Sequence, residues 1–161
     1  MSSERADLIQ ALDRHRDLLK QTVQGLDDQQ AALTPTVSTL CLGGLIKHVT
    51  LVERGWVRFA VQGTEGLWAP GDDWENGFRM VGDETLASLL AQYDEVAART
   101  TELASTLDLD AAHPLPEAPW FEPGAVWSVR RVLLHVIAET SQHSGHADII
   151  REAIDGRRSM G

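Results

Sequence analysis

Four stretches of this chain repeat apolar residues at the three-to-four-residue interval of an α-helix, and no stretch shows the convincing alternation of a half-buried strand. The first runs from Glu4 to Gln24 through Leu8, Leu12, Leu19 and Val23, with Gly25 expected as its C-cap. The second is expected to begin after Ser38, whose hydroxyl can cap a helix. It runs to about Gln62 through Cys41, Leu45, His48, Val52 and Trp56. Asp83 is the expected cap of the third, which carries Leu86, Leu89, Leu90, Tyr93, Val96, Ala97 and Leu103 and ends near Thr106. Ser128 caps the fourth, which runs to about Ile154 and stops before Gly156.

Such stripes are buried by packing helix on helix, so the expected fold is all-α: a four-helix bundle with two long connecting loops. The first loop, residues 63–82, mixes glycines with Trp68, Pro70, Trp74 and Phe78. The second, residues 108–124, holds Pro114, Pro116, Pro119 and Pro123 beside Trp120 and Phe121, which allows at most a short strand. With 161 residues and 43% hydrophobic content, the chain suits a single domain over residues 1–161.

The formal charge of −10 opposes binding to phosphate-rich partners, so neither nucleic acid nor an anionic membrane surface is expected. No apolar run reaches the roughly 20 residues of a membrane span. A small-molecule substrate is the expected partner. Cys41 alone cannot form an internal disulfide, and the start MSSERADLIQ does not read as a signal peptide, so a reducing cytoplasmic setting is expected. Cys41 itself reads as a small core residue.

The fourth helix carries His135-x-x-x-Glu139-x-x-x-His143-x-x-His146. At about 100° per residue these four side chains share an arc of roughly 80°. They mix with Val132, Val136, Ala147 and Ile150, a poor pattern for a purely apolar core, because a buried Glu139 needs a cation or a metal to remain ionised. The structural alternative places Glu139 in solvent and the histidines at a helix border. His48, the polar residue in the inward stripe of the second helix, can complete a three-ligand set with Glu139 and His143. Two imidazoles and a carboxylate suit catalytic zinc, or iron and nickel-like ions, and leave positions open for substrate.

His146 could replace Glu139 as a ligand, but it is expected to sit behind the ligands or to shuttle protons, and is the candidate catalytic residue. His135 is expected to pack or to support the ligands, and His15 and His113 lie outside the site. Arg54, Arg58, Arg130 and Arg131 are expected in exposed salt bridges, with Glu53 among the acceptors, rather than on an anionic substrate. The five tryptophans, Trp56, Trp68, Trp74, Trp120 and Trp127, fit either a lid or a hydrophobic plug.

Leu45-Ile46-Lys47-His48 and the longer piece from Leu134 through His135, Glu139, His143 and His146 to Asp148 resemble the DinB/YfiT-like superfamily. The likeness is to the branch containing the mini-circle protein and the metal-binding domain of mycothiol-dependent maleylpyruvate isomerase, and it spans nearly the whole chain. It implies a metal-binding bundle with His48, Glu139 and His143 as ligands and His146 behind them. It also implies a low-molecular-weight thiol as cosubstrate, and often a homodimer. The function expected is therefore a divalent-metal-dependent transferase or isomerase of the mycothiol type, with zinc first and nickel or iron as alternatives. A non-catalytic metal- or small-ligand-binding protein is the competing expectation.

Overall fold

The computed structural model describes residues 3–160. Helix α1 (Ser3–Gln21) is followed by the single turn α2 (Asp28–Ala31), then α3 (Leu42–Gln62), a 3₁₀ turn (Thr64–Gly66), α4 (Leu86–Thr106), a hairpin of β1 (Ala112–Pro114) and β2 (Val126–Ser128), and α5 (Val129–Asp155). Neighbouring long helices pack α1 on α5, α5 on α3, α3 on α4 and α4 on α1. The expected four-helix bundle is therefore the observed one. The antiparallel hairpin, with His113 opposite Trp127, is the short strand pairing that the proline-rich loop permits.

Two apolar clusters fill the bundle, one at each end. One gathers Leu12, Val52, Trp56, Phe59, Ala104, Val132 and Val136; the other gathers Leu19, Leu45, Ile46, Val49, Leu89, Tyr93, Ala147 and Ile150. Chain order through these clusters shows that α1 and α5 run one way while α3 and α4 run the other. The parallel pair α3 and α4 therefore needs a crossover along the whole height of the bundle, which is the long first loop.

A polar layer separates the clusters. Arg16 and Glu53, 4% and 0% exposed, pair across the diagonal between α1 and α3, with Arg16 Nε 3.3 Å from Glu53 Oε2. Asp13 and Thr101 accept the remaining Arg16 bonds at 2.7 and 3.2 Å. Burial works against the Arg16 charge, but Glu53 more than offsets it and raises the guanidinium pKa. The sequence reading of Glu53 as an exposed acceptor is thus corrected. Arg54 and Arg58 turn to Asp72, and Arg130 to Glu4 and Asp110.

Three helix boundaries also differ from expectation. Ser38 Oγ accepts from Leu40 N–H in a local turn, so α3 begins four residues after that turn opens, at Leu42, capped by Cys41 Sγ on Gly44 N–H at 3.3 Å. Glu84 closes a turn on Val81 N–H, so α4 starts behind Thr85 in a capping box with Ser88 rather than behind Asp83. Helix α1 ends at Gln21, and Gly25 (φ 77°) turns the chain four residues later. Ser128 and the left-handed Gly156 bound α5 as expected. No helix among the described residues is long and apolar enough to cross a membrane.

Removing one partner of a buried ion pair strands the other charge. Glu53→Ala is expected to cost about 3–5 kcal/mol in urea unfolding, whereas Arg16→Met with Glu53→Leu recovers most of the loss. A Glu53→Ala loss below about 1 kcal/mol would show that Arg16 finds water in the folded state.

Candidate metal centre

Helix α3 supplies one donor and α5 the rest because their stripes face each other in the polar layer. His48 Nε2 lies 3.9 Å and His143 Nε2 3.4 Å from the same oxygen of Glu139, Oε2. One donor atom from each of the three residues falls within 4.8 Å of the others. Donors about 2.1 Å from a common tetrahedral ion stand roughly 3.4 Å apart, so the set fits a divalent cation with small side-chain shifts, His48 moving most. The side chains are 13%, 28% and 11% exposed for His48, Glu139 and His143, so the cluster is largely buried, with Glu139 its most exposed member.

The electrostatics suit a cation. Burial, helped by the neighbouring His143, pushes the His48 pKa down to about 4 against the opposing pull of Glu139, so its ring is neutral at pH 7. Contact with His143 lowers the Glu139 pKa in spite of burial, and His135 and His48 add to the effect. His48 thus presents a neutral imidazole and Glu139 an ionised carboxylate, the protonation states that ligate metals.

The structure places the other candidates around this group. His146 Nδ1 meets His143 Nδ1 at 3.3 Å, behind the ring and away from Glu139. His135 approaches the second Glu139 oxygen, Oε1, at 3.6 Å. His15 lies on α1, where its carbonyl accepts from Ser144, and His113 packs edge-on to Phe59 at 5.8 Å; neither joins the cluster. Cys41 is buried as expected and also caps α3. Trp56 is a buried plug, while Trp68 and Trp120 are exposed at the protein surface and touch each other at 6.1 Å.

Sequence reasoning missed Phe78 as part of the site. Its ring stacks on His48 at 3.8 Å and 17°, and it remains 39% exposed, forming an outer wall of the cluster. Gly44 makes this possible, because a Cβ there would overlap the Phe78 carbonyl. Gly55 similarly admits the Leu67 carbonyl, so two glycines inside α3 let the crossover loop lie on the helix. Lys47, 7% exposed, ties the same loop down through Glu84 at 2.8 Å, Asp73 at 3.5 Å and the Arg79 carbonyl at 3.4 Å. The visible signal was the Gly43-Gly44 pair three residues before Lys47-His48, which spoils helix propensity without a local reason.

Gly44→Ala is expected to lower stability by roughly 1–3 kcal/mol through overpacking and to weaken metal uptake by displacing Phe78. Unchanged melting and metal affinity would contradict this account of the loop. A second expectation concerns acid. Because the folded His48 binds its proton more weakly than the unfolded chain, metal-free protein loses stability as pH falls from about 6.5 towards 4, by roughly 2–3 kcal/mol from this group. Melting curves of His48→Phe should fall less steeply over that window; an equal slope would assign the loss to carboxylates.

A crystal structure of a conserved protein from Enterococcus faecalis has the same fold, with a TM-score of 0.71 covering 98% of this chain and 99% of that chain at 18% identity. None of the curated proteins matches this chain. The sequence pattern described as Mycothiol-S-transferase matches residues 7–156. The chain therefore belongs to the mycothiol-S-transferase family, a DinB/YfiT-like family as the resemblance implied.

Proposed function

We propose that this member of the mycothiol-S-transferase family is a divalent-metal-dependent enzyme that joins the sulfur of mycothiol to an electrophilic carbon, with His48, Glu139 and His143 holding the ion. The observation that carries the reading is the convergence of two imidazoles, that of His48 held neutral by burial, and one ionised carboxylate, from two helices, in a chain of that family. A bound divalent cation would lower the pKa of a thiol at an open coordination position, making thiolate available at neutral pH. Zinc suits this donor set first; nickel and iron share it.

The chain's own residues have distinct tasks in this reading. His48 arrives neutral because burial and His143 disfavour its charged form, so binding releases no proton from it at pH 7. Phe78 holds the His48 ring in place by stacking and keeps water off that side. His146 stands behind His143, so we assign it the fixing of the His143 ring and tautomer rather than proton delivery to substrate. In the transfer itself the S–H bond breaks and its proton passes to water or buffer. A sulfur–carbon bond then forms as the electrophile's leaving group departs with its electron pair. A reducing compartment suits both the free thiol cosubstrate and the single buried Cys41.

The test is mycothiol conjugation to a bimane or chlorodinitrobenzene electrophile, monitored by loss of free thiol. Chelation should reduce turnover at least 100-fold and added zinc should restore it. His48→Ala should lose stoichiometric metal while keeping its helical circular dichroism. Turnover indifferent to chelation, or full metal content in His48→Ala, would overturn the assignment; tight mycothiol binding without turnover would make the protein a carrier or sensor.

A further inference from the structure

We infer that His135 is a positioning residue that aims Glu139, occupying the outer carboxylate oxygen so that the inner one alone is offered to the ion. The inference rests on the metal reading above and extends it to a residue outside the ligand set. The shortest contacts of Glu139 fall on different oxygens. Oε2 faces His143 and His48 at 3.4 and 3.9 Å, whereas Oε1 faces His135 Nε2 at 3.6 Å. At 3.6 Å the last contact is too long for a hydrogen bond, by roughly 0.7 Å against a strong one, and acts as an electrostatic guide in a half-buried setting. A glutamate has three rotatable side-chain bonds, so without a partner on Oε1 the carboxylate can swing to offer both oxygens or neither.

His135 is itself held. Its ring meets Trp56 at 4.9 Å and 71°, and Trp127 at 5.1 Å and 64°. Those indoles stack on each other at 4.7 Å and 17°, and the Arg131 guanidinium lies over Trp127 at 4.1 Å. Phe121, from the proline-rich loop, reaches the edges of both indoles at about 6 Å. A platform built from α3, β2 and the second loop therefore fixes a ring on α5. Among the described residues, Glu139 is the carboxylate that this ring reaches. Packing alone would be served as well by phenylalanine at this position; the nitrogen on Oε1 is what histidine adds.

Cobalt titration of the parent, His135→Phe and His135→Gln proteins tests this, read by calorimetric affinity and by the visible ligand-field bands. Phenylalanine keeps the aromatic contacts without a donor, and glutamine places an amide nitrogen near the position of Nε2. His135→Phe should bind cobalt 10- to 100-fold more weakly with shifted bands, while its metal-free melting temperature stays at or above the parent value. His135→Gln should recover most of the affinity and the parent spectrum. If His135→Phe does not fold, His135→Met replaces it, matching glutamine in length but lacking the donor. Parent-like affinity and spectrum in the donorless variant overturn the inference alone. A parent protein that takes up no cobalt overturns it together with the metal reading.

Discussion

The height at which α3 meets α5 governs the candidate centre. A slip of one residue along a helix moves a side chain about 1.5 Å and turns it about 100°, enough to take His48 away from Glu139 and His143. Several independent contacts oppose that slip. Apolar clusters at both ends of the bundle each include residues from α3 and α5, so sliding would open both. The buried Arg16–Glu53 pair fixes α3 against α1, and α1 packs along α5. Specific pairing of buried charges adds register even where its net contribution to stability is small.

The polar layer is also where the apolar core gives way. Arg16 and Glu53 neutralise each other on the diagonal, whereas among the described residues the ion-pair partners of Glu139 are imidazoles. Three histidines and one carboxylate, partly buried together, make a poor structural motif, since burial disfavours charge on the His48 and His135 rings while Glu139 stays ionised. A divalent cation resolves that imbalance, and the family to which the chain belongs gives the resulting centre a thiol to act on. The crossover loop then adds Phe78 as the outer wall, held by Lys47 and admitted by Gly44.

What could be read from the sequence was local. The α5 limits at Ser128 and Gly156 followed from capping chemistry, and the His/Glu stripe followed from helical spacing. Glu53 was misread because, beside Arg54, it looked like a surface charge; its true partner, Arg16, is distant in sequence and meets it only in the closed bundle. The α3 start was misplaced because a thiol seldom caps a helix while Ser38 is a common cap type. Phe78 could be seen as an aromatic needing a place to pack, but its seat on His48 depends on a loop crossing that no periodicity encodes. Spacing placed His135 next to Glu139, yet which carboxylate oxygen each ring meets is a matter of tertiary packing.

Anomalous diffraction at the metal edge, from crystals of the purified protein, tests the central claim most directly. The account predicts one peak about 2.0–2.2 Å from His48 Nε2, Glu139 Oε2 and His143 Nε2, with open positions towards solvent. Crystals grown with metal that show no peak at these three atoms, or a peak held by other residues, would contradict it.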